Sequence, residues 1–240
     1  MYTTMEKEIK QICIVLKNED SGESDRILTL LSPEIGKFYA KIKGVKKAKA
    51  KLSYASLPFC LGEYFLLQNG NSKLVLNCNH IDSFSALTSD LNRYYAGAVV
   101  LEISDKLSKE NQNCSEIFIH TINALKVLCY KPDIKVYSVL AKFLIDILKS
   151  SGFGISISEN INIKKEVYFD FYSGKLTNNL NDFCYKLSTN DSQNFFVLLD
   201  KNTTFESENF VASKNLVKLL SRFLESEIDE EIKSLKVFIK

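Results

Sequence analysis

Apolar and polar positions follow two different periods along this chain, and the change falls near Asp82. Before it, the pattern is that of strands. Ile9–Leu16 is β-branched and apolar, and the polar stretch 18–24 after it contains Gly22, a turn signal. Arg26–Leu31 is a second apolar run, closed by the turn sequence Ser32-Pro33-Glu34-Ile35-Gly36. From Lys37 to Lys43 the alternation is strict: Lys37, Tyr39, Lys41 and Lys43 share one face, and Phe38, Ala40 and Ile42 the other. Period two marks a half-buried strand. Leu61–Leu67 and Lys73–Cys78 flank a segment containing Asn69-Gly70, a hairpin signal. Five strands with one long basic connection predict a small closed barrel, for which the oligonucleotide-binding (OB) barrel is the commonest five-stranded solution.

After Asp82 the spacing becomes helical. Leu87, Leu91, Tyr94, Tyr95, Ala98 and Leu101 recur on one face, with Thr88 or Ser89-Asp90 as candidate caps. Further helices are predicted over about 115–129, ending before Lys131-Pro132-Asp133, over 134–149, and over 212–225, with 227–240 continuing or following the last. Residues 154–189 read as irregular, with short β-like pieces such as Val167–Tyr172. The expected organisation is a barrel domain over 1–81 and a helical domain over 82–240, the latter carrying an irregular insertion at about 152–189. The fold class is α+β.

Composition narrows the function classes. The chain has 240 residues, 45% hydrophobic and 25% charged, so it is not of the disordered type. No uncharged apolar run reaches the roughly 18 residues of a spanning helix. Met1–Lys10 has no apolar core of signal-peptide length, and a cytoplasmic protein with no membrane partner is expected. The formal net charge is only +2, but residues 1–80 hold 12 basic and 8 acidic side chains. The six cysteines form no C-x-x-C pair and read as small buried apolar residues. Cys78 and His80 are two candidate ligands, too few for a zinc site. No metal and no cofactor are expected.

The most informative segment is Lys37–Lys51. It holds seven lysines (Lys37, Lys41, Lys43, Lys46, Lys47, Lys49, Lys51) and no acid. Charges this dense repel one another, so the run favours a polyanion partner. Tyr39 on the lysine face offers a stacking surface for a base, Tyr54 a second one, and Gly44 a bend between strand and loop. The other reading is a solubilised edge strand, because lysine also blocks edge pairing. Catalytic constellations are weak. His120 and Cys114 fall on different helical faces, Glu102 and Asp105 read as a solvated stripe, and the acidic run Glu227–Glu231 reads as a helix N-terminal cluster. There is neither a G-x-x-x-x-G-K-[ST] loop nor a G-x-S-x-G elbow.

The run Ser21-Gly22-Glu23-Ser24-Asp25-Arg26-Ile27-Leu28-Thr29-Leu30-Leu31-Ser32, followed by Glu34 and Gly36-Lys37, resembles the N-terminal signature of the bacterial RecO family. Lys43-Gly44-Val45-Lys46-Lys47 and Leu57-Pro58-Phe59 continue the likeness, and Tyr94–Leu107 is similar to the start of that family's helical domain. The resemblance implies an N-terminal OB barrel on an α-helical domain. It also implies a non-enzymatic DNA repair and recombination protein that binds single- and double-stranded DNA and anneals complementary strands. Its implied partners are RecR, the acidic tail of single-stranded DNA-binding protein and, indirectly, RecA on gapped DNA. Many members of the family carry a four-cysteine zinc element, whereas residues 151–184 here contain Cys184 alone, so metal is not carried over.

Arg26, Lys37, Lys43, Lys46 and Lys47 fall on basic or motif positions of the family. Lys41, Lys49, Lys51 and Tyr39 join the expected DNA face from the local pattern. For the partner peptide the candidates are Leu91, Arg93 and Tyr94, because an acidic, apolar tail needs an apolar surface with a cation at its rim. The alternative to DNA binding is a protein-interaction scaffold whose basic barrel docks an acidic protein.

Overall fold

A computed structural model describes residues 7–205, 207 and 210–239. Five strands come first: β1 (Lys7–Ser21), β2 (Asp25–Ser32), β3 (Gly36–Ile42), β4 (Leu61–Asn69) and β5 (Ser72–Asp82). The order β1-β2-β3-β5-β4 returns on itself, because β4 also pairs with β1 from Lys7↔Gln68 to Ile14↔Leu61. All pairings are antiparallel except β3 with β5, a narrow parallel seam at Lys41↔Leu74 and Ile42↔Val75. The result is a closed barrel of the OB type, followed by a mainly helical region.

The strict alternation predicted for β3 is what forms. Phe38, Ala40 and Ile42 enter the barrel core, and Lys37, Tyr39 and Lys41 stay outside. The core is completed by Cys13, Val15, Leu28, Leu30, Tyr64, Leu66, Val75 and Cys78. Buried Tyr64 satisfies its hydroxyl on the Ala55 carbonyl, 2.8 Å away. β4 and β5 turn at Gly70-Asn71, where Gly70 adopts φ +57°.

The chain divides into two compact units. One comprises Met1–Ser85 with Leu101–Ile119, and the other Ala86–Val100 with His120–Lys240. The division drawn from sequence between residues 81 and 82 lies near the first crossing. The return of 101–119 to the barrel unit has no sequence signal, because both of its boundaries fall inside helices, over Leu91–Leu107 and Ser115–Tyr130. In the barrel unit this returning segment runs beside the β2–β3 turn: Lys37 N–H donates to Lys109 O, Asn111 N–H to Lys37 O and Cys114 N–H to Pro33 O. Gly36 permits the approach. Its φ is +71°, and a Cβ there would stand 1.9 Å from the Gln112 carbonyl oxygen.

The helices are α1 (Leu91–Leu107), α2 (Ser115–Tyr130), α3 (Val136–Ser150), α4 (Thr189–Leu199), α5 (Lys214–Ile228) and α6 (Lys233–Phe238). Asp90 is the cap that forms on α1, its Oδ1 accepting from the N–H groups of Asn92 and Arg93. Helix α4 was not expected. Its polar opening, Thr189-Asn190-Asp191-Ser192, reads as loop, yet Ser188 caps it by accepting from Asp191 N–H. The acidic run 227–231 is not a helix N-terminal cluster. It ends α5 and forms the turn to α6, with Asp229 in the left-handed region at φ +52°.

The insertion is more ordered than its composition suggests. β6 (Ser156–Ile157), β7 (Tyr168–Asp170), β8 (Lys175–Thr177) and β9 (Cys184–Lys186) form a sheet of order β6-β8-β7-β9. Phe169 is fully buried against the rings of Phe171, Phe195 and Phe223. The Asp170 carboxylate accepts from the N–H groups of Tyr172 and Ser173, the Ser173 hydroxyl and the Asn181 amide. Asn178 ties Asn162 and Glu166 to the same sheet. An aromatic core and side-chain-to-backbone bonds thus hold together a sheet that contains a single cysteine.

Candidate nucleic-acid interface

β3 brings Lys37, Tyr39 and Lys41 to the outside of the barrel, and the chain then leaves the sheet through the connection to β4. Val45 buries into the barrel core and Leu52 packs against it, so the segment is pinned at both ends. Between them the backbone makes successive tight turns: Lys47 N–H donates to Gly44 O, Ala50 N–H to Lys47 O and Ser53 N–H to Ala50 O. The lysines project from this pinned loop.

The basic residues fall into two groups. Lys43, Lys47, Lys49 and Lys51 are exposed, and among the described residues they form no ion pair. The others are engaged. Lys41 meets Asp25 at 3.1 Å, and Lys46 meets Asp20 at 2.6 Å. Arg26 lies 3.5 Å from Asp20 and donates through Nη1 to the Ser56 hydroxyl at 3.0 Å. Lys37 is the most enclosed. It pairs with Asp105 at 3.2 Å and donates to the Asp105 carbonyl at 2.5 Å, with the two side chains only 15% and 17% exposed. Asp105 therefore does not belong to a solvated stripe; it bridges Lys37 and Lys17, the latter at 3.0 Å.

Tyr39 is 44% exposed among these lysines. Partial burial, then a hydrogen bond to Glu110, hold its hydroxyl protonated beyond the usual tyrosine range. Tyr54 differs from the expectation of a second open platform. It packs against the barrel core, donates its hydroxyl to Cys78 O at 2.7 Å and sets its ring edge-on to His80.

The acids within this face are held ionised. The N–H of Gly44, then Lys41, then the Ser24 hydroxyl pull the Asp25 carboxyl down to about 2. Lys46 first, then Arg26, lower that of Asp20. The surface is thus built from anchored lysines interleaved with charged carboxylates, together with four cations, Lys43, Lys47, Lys49 and Lys51, that form no ion pair among the described residues.

The peptide candidates lie in the second unit. Leu91 is 70% and Tyr94 38% exposed. Arg93 is not an open cation: its guanidinium donates to the carbonyls of Leu128, Lys131 and Pro132 at 3.2, 2.8 and 2.7 Å, tying the start of α1 to the end of α2. Two of those carbonyls, of Lys131 and Pro132, belong to a turn that walls a cavity of about 530 Å³, lined by Pro132, Ile134, Phe205 and Phe210 with Lys131, Asp133 and Lys135. The sequence carries no signal for this cavity: Lys131-Pro132-Asp133 reads only as a helix breaker, and Phe205 and Phe210 lie outside any periodic segment.

Elsewhere, Cys13, Cys60, Cys78, Cys114 and Cys129 are buried and Cys184 half-buried, all as free thiols. His120 lies 3.8 Å from Asp146, which also pairs with Lys142. Among the described residues no three His, Cys, Asp or Glu side chains are grouped to hold a metal ion, and no helix is long and apolar enough to cross a membrane.

Two family models match the chain. One, described as "Recombination protein O N terminal", covers residues 5–84, and "Recombination protein O C terminal" covers residues 88–237. Curated relatives agree. A protein of Clostridium novyi named DNA repair protein RecO is 27% identical over 241 residues, covering 95% of this chain and 93% of the relative. A namesake in Caldicellulosiruptor bescii is 25% identical over 95% of this chain and 90% of the relative. Another in Acetivibrio thermocellus is 29% identical over 68% and 65%. With the five-stranded barrel, the helical region and both halves of the sequence in agreement, the chain belongs to the RecO family.

Proposed function

We propose that this member of a DNA repair and recombination family acts as a non-catalytic mediator that binds single- and double-stranded DNA and anneals complementary strands. The observation that carries this reading is a set of exposed lysines that form no ion pair among the described residues: Lys43 just after β3, and Lys47, Lys49 and Lys51 on the loop pinned by Val45 and Leu52. Phosphates replace the counterions that such a surface collects, so affinity comes with little sequence preference. Two strands neutralised on one surface repel each other less and pair more readily. In this reading Lys43, Lys47, Lys49 and Lys51 meet phosphate directly and Tyr39 stacks on a base. Arg26, Lys37, Lys41 and Lys46 contribute positive potential and hold the face in shape.

The same proposal includes cytoplasmic action at the nucleoid with RecR, loading of RecA on gaps coated by single-stranded DNA-binding protein, and reception of that protein's acidic tail by the second unit. There the cavity offers apolar walls and two lysines beside Asp133, Arg93 holds the Lys131 and Pro132 carbonyls of the turn that walls it, and Leu91 and Tyr94 are exposed on the same unit. The competing reading is a scaffold whose basic face docks an acidic protein. Competition separates them. A labelled single-stranded oligonucleotide bound to the full chain is expected to be displaced by unlabelled oligonucleotides of unrelated sequence. A chain that binds polyglutamate but no oligonucleotide supports the scaffold instead.

A further inference from the structure

The tip of the β1–β2 hairpin carries two carboxylates into the middle of the basic face, which by charge alone opposes DNA binding. Their contacts show what they offer in return. The Asp25 Oδ1 accepts from Gly44 N–H at 2.9 Å and from the Ser24 hydroxyl at 3.0 Å, while Oδ2 pairs with Lys41. One residue earlier in the hairpin, Ser24 O accepts from Lys46 N–H at 3.0 Å, and Asp20 takes the Lys46 ammonium. Gly44 is where the chain leaves β3, in the left-handed region at φ +70°, and it opens the first of the tight turns that present the lysines. The hairpin tip therefore grips the loop at its origin through one side-chain acceptor, one backbone acceptor and one ion pair.

We propose that Asp25 is a positioning residue for DNA binding: its side-chain oxygen fixes the departure of the lysine loop from β3, so that removing this acceptor weakens DNA binding although it makes the face more positive. The inference rests on the loop being the DNA contact and goes one step beyond it. A preorganised loop delivers its cations to phosphate without an ordering cost at the moment of binding, whereas a released loop must be ordered then. Asn at position 25 is nearly isosteric, keeps an oxygen acceptor for Gly44 and Ser24, and lacks the charge. Ala lacks both. The two variants separate the anchor from the charge, because a purely electrostatic role makes them equivalent.

The test is a salt series of fluorescence-anisotropy titrations of the full chain and its Asp25→Asn and Asp25→Ala variants with a labelled single-stranded oligonucleotide. Asp25→Asn is expected to bind at least as tightly as the unaltered chain. Asp25→Ala is expected to bind about fivefold more weakly at 0.1 M salt and to lose about 0.7 from the slope of log affinity against log salt, the equivalent of one phosphate contact. Limited trypsin digestion supplies a readout free of DNA. Cleavage after Lys43, Lys46, Lys47, Lys49 or Lys51 is expected to accelerate in Asp25→Ala and not in Asp25→Asn. If Asp25→Ala fails to fold, Gly44→Ala disturbs the same contact from the loop side, since its Cβ meets only Lys47 Cδ at an ordinary 3.9 Å and only the positive φ is strained; weakened binding is expected there too. Equal affinities and equal digestion of the Asn and Ala variants overturn this inference alone. Failure of the unaltered chain to bind any oligonucleotide overturns the proposed function and this inference together.

Discussion

Lys37 separates a lysine that builds the barrel unit from the lysines proposed to meet DNA. Its ammonium is shared between the carboxylate and the carbonyl of Asp105, and both side chains are largely enclosed. Breaking an enclosed pair by removing one partner costs about 3–5 kcal/mol when a charge is stranded. Here Lys17 still meets Asp105 after Lys37 is lost, so the carboxylate keeps one cation. The expected cost of Lys37→Ala is therefore lower, about 2 kcal/mol, the range of one charge-assisted hydrogen bond. For a chain of this size that corresponds to a melting temperature lower by roughly 4–8 °C. Asp105→Ala strips both lysines of a partner and is expected to cost more than Lys37→Ala. Lys49 makes no such contact, and Lys49→Ala is expected to leave the melting temperature within about 1 °C, as exposed positions do. The assay pairs thermal unfolding with oligonucleotide titration on each variant. Lys37→Ala should move melting more than the salt slope, and Lys49→Ala the slope more than melting. A Lys37→Ala chain that melts normally but loses as much salt slope as Lys49→Ala would refute the division between building and binding lysines.

Gly36→Ala places a Cβ against the Gln112 carbonyl at a positive φ, so a stability loss on the order of 3 kcal/mol is expected by denaturant titration; an unchanged midpoint contradicts the packing of 109–112 beside β3. The Asp25 carboxyl is held down to about 2, below its ordinary range, so its contribution to stability is complete above about pH 4 and is lost as pH falls through about 2. Asp25→Asn is expected to flatten stability against pH in that window alone. The sheet formed by β6–β9 is held by Phe169, Asp170 and Asn178, so purified protein is expected to contain no stoichiometric zinc and a chelator to leave its melting unchanged; about one zinc per chain contradicts this.

The sequence discloses local geometry better than partnership. Strict alternation over Lys37–Ile42 predicts which side chains enter the core, because strand period and burial are the same fact seen twice. Helical spacing places α1 and α5 for a similar reason. Pairings do not show in this way: Lys41 meets a carboxylate 16 residues away and Lys37 one 68 residues away, so seven lysines that look equivalent in sequence divide into anchored and free only once the barrel closes. Asp105 looks solvated for the same reason. Tyr54 looks like a platform because aromatic residues near lysines do, yet its hydroxyl is placed to satisfy Cys78 O. Arg93 stands out as one of three arginines, and the sequence assigns its charge to a partner, whereas the fold spends it on three carbonyls at the end of α2. Helix α4 escapes notice because its first turn is made of residues that also favour loops.

The most direct test of the DNA face is the salt dependence of oligonucleotide binding by the full chain and a Lys47→Glu, Lys49→Glu, Lys51→Glu variant with unchanged melting. The account predicts that log affinity falls linearly with log salt for unrelated sequences alike, and that the variant loses about 2 from that slope, at about 0.7 for each phosphate contact on a single strand. A variant that binds with the same affinity and the same slope as the unaltered chain contradicts the account.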